Sequence, residues 1–300
     1  LMGRPGAVPE RPFVPVPPKE LTVYDAAHPR PADELPADKL REKLAAASDL
    51  QMEKLLPKDK PTLAEYRRVV GTAVYAMFGG GQPWRIDVDL RGPQVPVGGG
   101  TLQRAVIGRV GERNAIPVAL VWGPKRVERF VTIWLHPDGK RSLLDGGKLV
   151  PAAQRLVDSG RAVLAPDLYG VGELTPKEPW PVTKPQYGHV YAGYTYGYNY
   201  PPLSQQARDA LTALRYARHI GHHGQHIDLI GWGRLGPAAV LTLAATEADG
   251  SNGCEVSGKT AADVNQFRFA DITSVGGARL LPGAVMYGRL GAFLALCAPA

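Results

Sequence analysis

The sequence predicts an α/β domain with a doubly wound, mostly parallel sheet and helices on both of its faces. Three observations carry that prediction. Beyond residue 129, strand-like and helix-like segments alternate, the pattern of right-handed β-α-β crossovers. The segment RFVTIWLH, residues 129–136, is apolar nearly throughout, as a strand is when both sheet faces are covered. Three strand-like runs also end in short turn-rich sequences: HPDGK at 136–140, DLYGVGE at 167–173 and GWGRLG at 231–236. In open α/β sheets such carboxyl-terminal strand ends are where ligands bind.

The elements follow in order. Nine of the 28 prolines precede Ala37. Proline fixes φ and removes a backbone donor, so residues 1–37 read as an extended arm. Residues 38–83 read as two helices packing on the body that fills 84–300. Asp38 is the expected cap of the first helix, with Leu40, Leu44, Ala47 and Leu55 on one side and Pro57 as its stop. Thr62 and Glu65 form a capping-box pattern for the second. Its stripe is Leu63, Tyr66, Val70, Val74 and Met77, and Gly79-Gly80-Gly81 ends it. Alternation predicts strands over 85–90 and from 102, and an apolar run predicts one from 116. A helix is expected over 148–158, a strand over 161–167 and, after a long loop, a helix capped by Ser204. Strand 226–231 and a helix from Pro237 follow. There is no internal repeat.

Composition narrows the function classes. The chain has 300 residues, with 44% hydrophobic and 21% charged, which fits a packed body rather than disorder. The net charge is +7, but no basic run tracks one helix face, so a nucleic-acid partner is not indicated. Cys254 and Cys297 are the two cysteines, too few for a disulfide scaffold or a cysteine-built zinc site. No apolar stretch approaches the ~20 residues of a membrane span. The opening residues, LMGRPGAVPERP, hold no signal-peptide core, and because the chain begins with Leu its compartment stays open.

WLHPDGK, VLAPDLYGVGE, the Tyr-Gly-Tyr-Asn segment, GWGRLGP and LPGAVMYGRLGAFLALCAP stand in an order that resembles the α/β-hydrolase superfamily. Within it the chain resembles the acetylxylan-esterase-like branch, from about Trp84 onward. The resemblance implies an α/β-hydrolase-like fold, truncated before its last strands, and an ester hydrolase lineage acting on or binding acylated carbohydrate or another small ester. It assigns an oxyanion loop to 136–140 and a nucleophile elbow to 231–236. The implied oxyanion donors are the Arg234 amide and one from the Asp138-Gly139 loop.

The departure from that pattern is as informative. Gly233 occupies the nucleophile position and Leu235 replaces the second glycine of the elbow. A glycine cannot attack a carbonyl. The family order of nucleophile, acid, histidine also finds no base here, since no histidine follows His226. The expectation is therefore a degenerate site, a missing downstream piece, or both. A non-catalytic carbohydrate-binding or scaffold protein is the alternative.

Other residues admit two readings each. Gly231, Gly233 and Gly236 match a dinucleotide fingerprint, but Glu255 lies in no strand pattern and Asp263 stands too far along to bind a ribose. Tight turning and close helix-strand packing explain the glycines without a cofactor, and none is expected. Residues 187–200 hold six of the twelve tyrosines. Tyr194, Tyr196 and Tyr198 could stack on sugar rings at the cleft, or the loop could pack on its own rings. His189 and His136 are the histidines near the expected cleft. His219, His222, His223 and His226 enter a strand at the opposite, amino end of the sheet, so no metal is expected. Asp167 reads as a turn-former, and Arg234 as an anion contact or a partner for a carboxylate.

Overall fold

The computed structural model describes residues 12–81, 83–127, 130–177, 196–220, 226–248, 256–272 and 275–298. The chain divides into two units, Leu1–Leu44 and Ala45–Ala300. In the first, proline-rich chain is interrupted by a single 3₁₀ turn, Pro18–Leu21, and the unit closes with the start of helix α1 (Ala37–Leu55). The helix begins one residue before Asp38, which pairs with Arg41 at 3.2 Å instead of capping.

The second unit begins within α1, and the expected apolar stripe is corrected here. Leu40, Leu44 and Ala47 are exposed; the sheltered positions are Ala45, Ser48, Asp49, Met52 and Leu55. Asp49 pairs with Arg289 at 3.1 Å, which turns that face inward. The next helical stretch is α2 (Lys60–Tyr66), a π-helical turn at Arg67–Gly71, then α3 (Thr72–Phe78). Its cap is Asp59, not Thr62. The Asp59 carboxylate accepts from the Thr62 N–H at 2.9 Å, and the Thr62 hydroxyl accepts from the Asp59 N–H at 3.0 Å. Glu65 is drawn off to Arg68. The predicted stripe is otherwise buried at Leu63, Tyr66, Val70 and Val74, and Gly79 ends the run in the left-handed region at φ 67°. The Tyr66 hydroxyl donates to the Ala292 carbonyl at 2.9 Å, and burial pushes its pKa up to about 12.

Seven strands form one sheet in the order β1-β2-β3-β7-β4-β8-β9. They are β1 (Ile86–Val97), β2 (Gly100–Arg109), β3 (Ile116–Trp122), β4 (Phe130–Leu135), β7 (Ala162–Pro166), β8 (His226–Gly231) and β9 (Thr260–Ala262). Strands β5 (Leu144–Asp145) and β6 (Lys148–Leu149) make a separate small ladder. The first three large strands are antiparallel meanders; β7, β4, β8 and β9 run parallel. Edge strand β1 carries a bulge between Arg91 and Val95, with Gly92 at φ 68°.

Apolar faces place the helices. Helix α4 (Pro151–Asp158) covers one sheet face through Ala153 and Val157, against Trp134, Val163 and Ala165. On the other face α5 (Pro202–Ile220) buries Ala210, Ala213, Leu214 and Ala217 against Ile133, Leu164 and Leu229. Helices α6 (Gly236–Ala248) and α7 (Arg289–Leu296) share a second cluster with α2, α3 and α5. Ser204 lies inside α5 rather than at its cap, because its hydroxyl donates to the Met77 carbonyl at 2.9 Å.

Candidate functional site

Topology fixes where a site can form. From β4 the chain crosses to β7 on one side, and from β8 it crosses to β9 on the other. Strand order reverses between β4 and β8, and the carboxyl ends there open a crevice. Because β4, β7 and β8 are parallel, Asp138, Asp167 and Gly233 share one sheet edge.

At the end of β8 the elbow makes a 3₁₀ turn, Gly233–Leu235, leading into α6. Gly233 has φ 50°, in the left-handed region, and a Cβ built there would meet only Pro137 Cγ, at 3.8 Å. The other two glycines do different work. A Cβ on Gly231 would come within 2.6 Å of Ala239 Cβ, and one on Gly236 would collide with the Asp263 carbonyl. Both are spent on packing α6 against the sheet. Glu255 lies outside the described residues.

The loop after β4 meets this elbow. The Arg234 guanidinium donates to the Pro137 carbonyl at 2.7 Å, and its charge also helps hold Asp138 ionised. Of the expected oxyanion donors, the Asp138 N–H donates to His136 Nδ1 at 3.1 Å and the Gly139 N–H to the His136 carbonyl at 2.8 Å. Both loop amides are engaged within the loop in this structure. The Arg234 N–H stands in the first turn of its helix, where a backbone donor has no helical acceptor. Trp134, Trp232 and His136 flank the site. The two indoles are 5.1 Å apart, and the imidazole lies 6.4 Å from each. Partial burial holds the His136 pKa below its usual range, with Asp138 pulling weakly the other way. An Arg141 hydrogen bond at 3.0 Å holds Asp138 below the usual carboxylate range.

Asp167 is a turn-former, as its sequence context suggests. It is buried, and its carboxylate accepts from the Lys140 N–H at 2.7 Å, the Glu173 N–H at 3.0 Å and the Lys140 ammonium. Gly139 and Gly172 have positive φ, and a Cβ on either would strike this carboxylate. Lys140 also reaches Glu173 at 2.7 Å. A cavity of about 510 Å³ opens beside this cluster, with Asp138, Lys140, Asp167 and Glu173 in its wall.

Tyr194 and His189 lie outside the described residues. Tyr198 is exposed, and the Tyr196 hydroxyl donates to the Val275 carbonyl at 2.6 Å. The hydroxyl ties that stretch to a neighbouring segment instead of facing the cavity. Of the histidine group, His219 ends α5 and His226 opens β8; His222 and His223 lie outside the described residues. Among the described residues no group of three His, Cys, Asp or Glu is placed to hold a metal, and no helix is long and apolar enough to cross a membrane.

Sequence reasoning missed one feature of the site, the indole of Trp232 beside Trp134. Trp232 was legible as the residue between two elbow glycines, where the turn must present it. Asp263 follows the short strand β9 beside the elbow, and its carboxylate accepts from the Asn265 N–H at 2.9 Å.

Comparison with solved structures matches this arrangement. A Bacteroides fragilis protein assigned provisionally to the acetyl xylan esterases superposes with a TM-score of 0.55 at 12% identity, over 90% of this chain and 75% of that one. The chain has the α/β-hydrolase fold. Two further α/β-hydrolase neighbours are acetyl xylan esterase 1 from a Thermoanaerobacterium species and an acetyl xylan esterase from a Paenibacillus species. They share 14% and 17% identity, cover 72% and 65% of this chain, and have TM-scores of 0.41 and 0.40. The chain spans 61% and 60% of their respective lengths. No protein-family model matches the chain, and no curated protein sequence does. Within this fold, the turn that follows β8 carries Gly233 in the left-handed region.

Proposed function

We propose that this α/β-hydrolase chain binds acylated carbohydrate in the manner of an acetylxylan-esterase-type protein but does not cleave it by a serine route. The observation that carries this reading is Gly233. It keeps the left-handed backbone of the elbow and open space above it, yet supplies no oxygen for attack. The engaged Asp138 and Gly139 amides support the same reading, because an oxyanion hole works through donors already aimed at the developing charge. Here the ester carbonyl would meet the Arg234 N–H at most. The exposed part of Trp232 offers an apolar face for a sugar ring. The similarity in fold to the Bacteroides protein supports the ligand class.

Calorimetric titration of the full chain with acetylated xylo-oligosaccharides, run beside an acetate-release assay, tests the proposal. Binding without release is the expected result. Saturable release would overturn it and direct mutagenesis to His136 and Asp138; no binding would overturn it equally.

A further inference from the structure

A second cleft opens away from the elbow, between residues 79–86 and one face of α5. Two cavities, of about 380 and 430 Å³, share Trp84 and Arg85 in their walls. The first also has Arg109, Glu112 and Arg208; the second has Arg215. Register puts this cleft on the same sheet edge as Asp167. Ile86 is opposite Arg109, Ile107 opposite Ile116, and Val118 opposite Pro166.

The cations here are built into the fold rather than scattered on it. Arg109 is only 5% exposed. Its Nε donates to the Thr212 hydroxyl at 2.9 Å, and its two terminal nitrogens donate to the Gly81 carbonyl at 3.2 Å and the Arg208 carbonyl at 2.7 Å. Arg208 donates to the carbonyls of Phe78 and Gly79 and pairs with Glu112 at 3.0 Å. Burial, then the like charge of Arg208, lowers the Arg109 pKa to about 10. Asp209 behind them is itself pushed up to about 7 by burial, so it returns less than a full negative charge. Among the described residues Glu112 is the one carboxylate in the two cavity walls; it lies 3.0 Å from Arg208 and 3.8 Å from Arg109, one negative charge against Arg85, Arg109, Arg208 and Arg215. Neighbouring guanidiniums that repel one another in a half-closed cleft are relieved by an anion, and their planar forks suit a carboxylate.

Trp84 supplies the second half of the recognition. It is 91% exposed, so its indole adds nothing to the core, and Arg215 fixes its backbone by donating to the Trp84 carbonyl at 3.2 Å. An exposed indole at the mouth of an arginine-lined cleft presents a stacking face beside a charge clamp. Single-stranded nucleic acid uses a track of several stacking aromatics and many phosphate contacts. Two short cavities around one indole fit a sugar ring better.

We propose that the cleft between Trp84 and α5 binds a carbohydrate bearing a carboxylate, with the sugar ring on Trp84 and the uronate on Arg85 and the Arg109–Arg208 pair. The choice of sugar as the ring rests on the function proposed above; the anion preference rests on the cleft itself.

The test titrates the full chain with a xylo-oligosaccharide carrying one glucuronate, the unsubstituted oligosaccharide of equal length, and an oligothymidylate. The acidic sugar should bind roughly tenfold tighter than the neutral one, and the difference should shrink in high salt. Arg85→Ala should remove most of the acidic preference, whereas Trp84→Ala should weaken binding of both sugars. Both side chains are exposed, so neither variant threatens the fold. Equal affinity for the two sugars, a preference that survives Arg85→Ala, or tighter binding of the oligothymidylate would overturn the cleft. A neutral acetylated oligosaccharide, titrated into Trp232→Ala as well as Trp84→Ala, reads the elbow separately. The acidic sugar binding through Trp84 while the acetylated one fails to bind would leave the cleft standing and remove the proposed function.

Discussion

Gly233 holds the turn after β8 in the left-handed region, with open space where a side chain would stand. A serine placed there would meet ordinary contact with Pro137, so the cost of Gly233→Ser is the left-handed backbone alone, about 1–3 kcal/mol. We expect that variant to lose that much stability in urea unfolding and to show no p-nitrophenyl acetate turnover above the parent chain, since these 300 residues hold no histidine after Gly233. Strong activity in the variant would mean that His136 accepts the proton. Asp167 makes the opposite kind of site, one where the side chain is everything. Asp167→Ala takes the buried one of Lys140's two carboxylate partners and leaves two backbone donors without their acceptor. Loss of a buried charge partner costs about 3–5 kcal/mol. Asp167→Asn should cost less, because one oxygen can still accept. If the two variants unfold at the same denaturant concentration, the retained oxygen contributes nothing and the whole loss belongs to the carboxylate charge.

Among the elements, the strands were the most legible. An apolar run such as IPVALVW, or the six residues HIDLIG, has one stable use in a sheet covered on both sides, and β3 and β8 occupy those residues. Helix starts were harder to read, because caps depend on competition. Thr62 and Glu65 fit a capping box by spacing, but Asp59 outbids Thr62 as an acceptor while Arg68 claims Glu65. The stripe on α1 was misread because leucines there are exposed, and an ion pair from Asp49 to a residue 240 positions away sets the rotation. The elbow was legible as a motif, whereas the commitment of the loop amides to His136 was not, since it follows from a turn geometry that no residue type enforces. The junction of α6 with β9 gives a prediction at this scale. Gly236→Ala should destabilise the chain by several-fold more than Gly233→Ala, because its methyl would have to displace the Asp263 backbone. Comparable midpoints in thermal unfolding would refute the assigned packing role.

For the molecule as a whole, pH acts through the one carboxylate held most firmly against ionising. Asp209 faces Arg109, Arg208, Glu112 and the Tyr169 amide, which donates to it at 2.8 Å. Its pKa is about 7 in the folded chain against an ordinary 3.8. The folded state therefore binds the extra proton, and this group's contribution to stability is present below about pH 4 and lost as pH rises towards 7. Asp209→Asn should gain stability over the parent progressively from about pH 4 to pH 7 and level off above, measured as the difference in Tm between the two. A flat difference would show that the arginines already neutralise the site.

The β1 bulge has its own consequence for how these molecules meet one another. A twelve-residue strand at a sheet margin would offer a neighbouring copy an open row of amides and carbonyls. Gly92, Pro93 and Pro96 break that row, since proline has no hydrogen to lend and the bulge twists the margin out of line. The kink is thus a guard against sheets joining end to end into fibres, and protection of the crowded solution is written into a turn that touches no ligand.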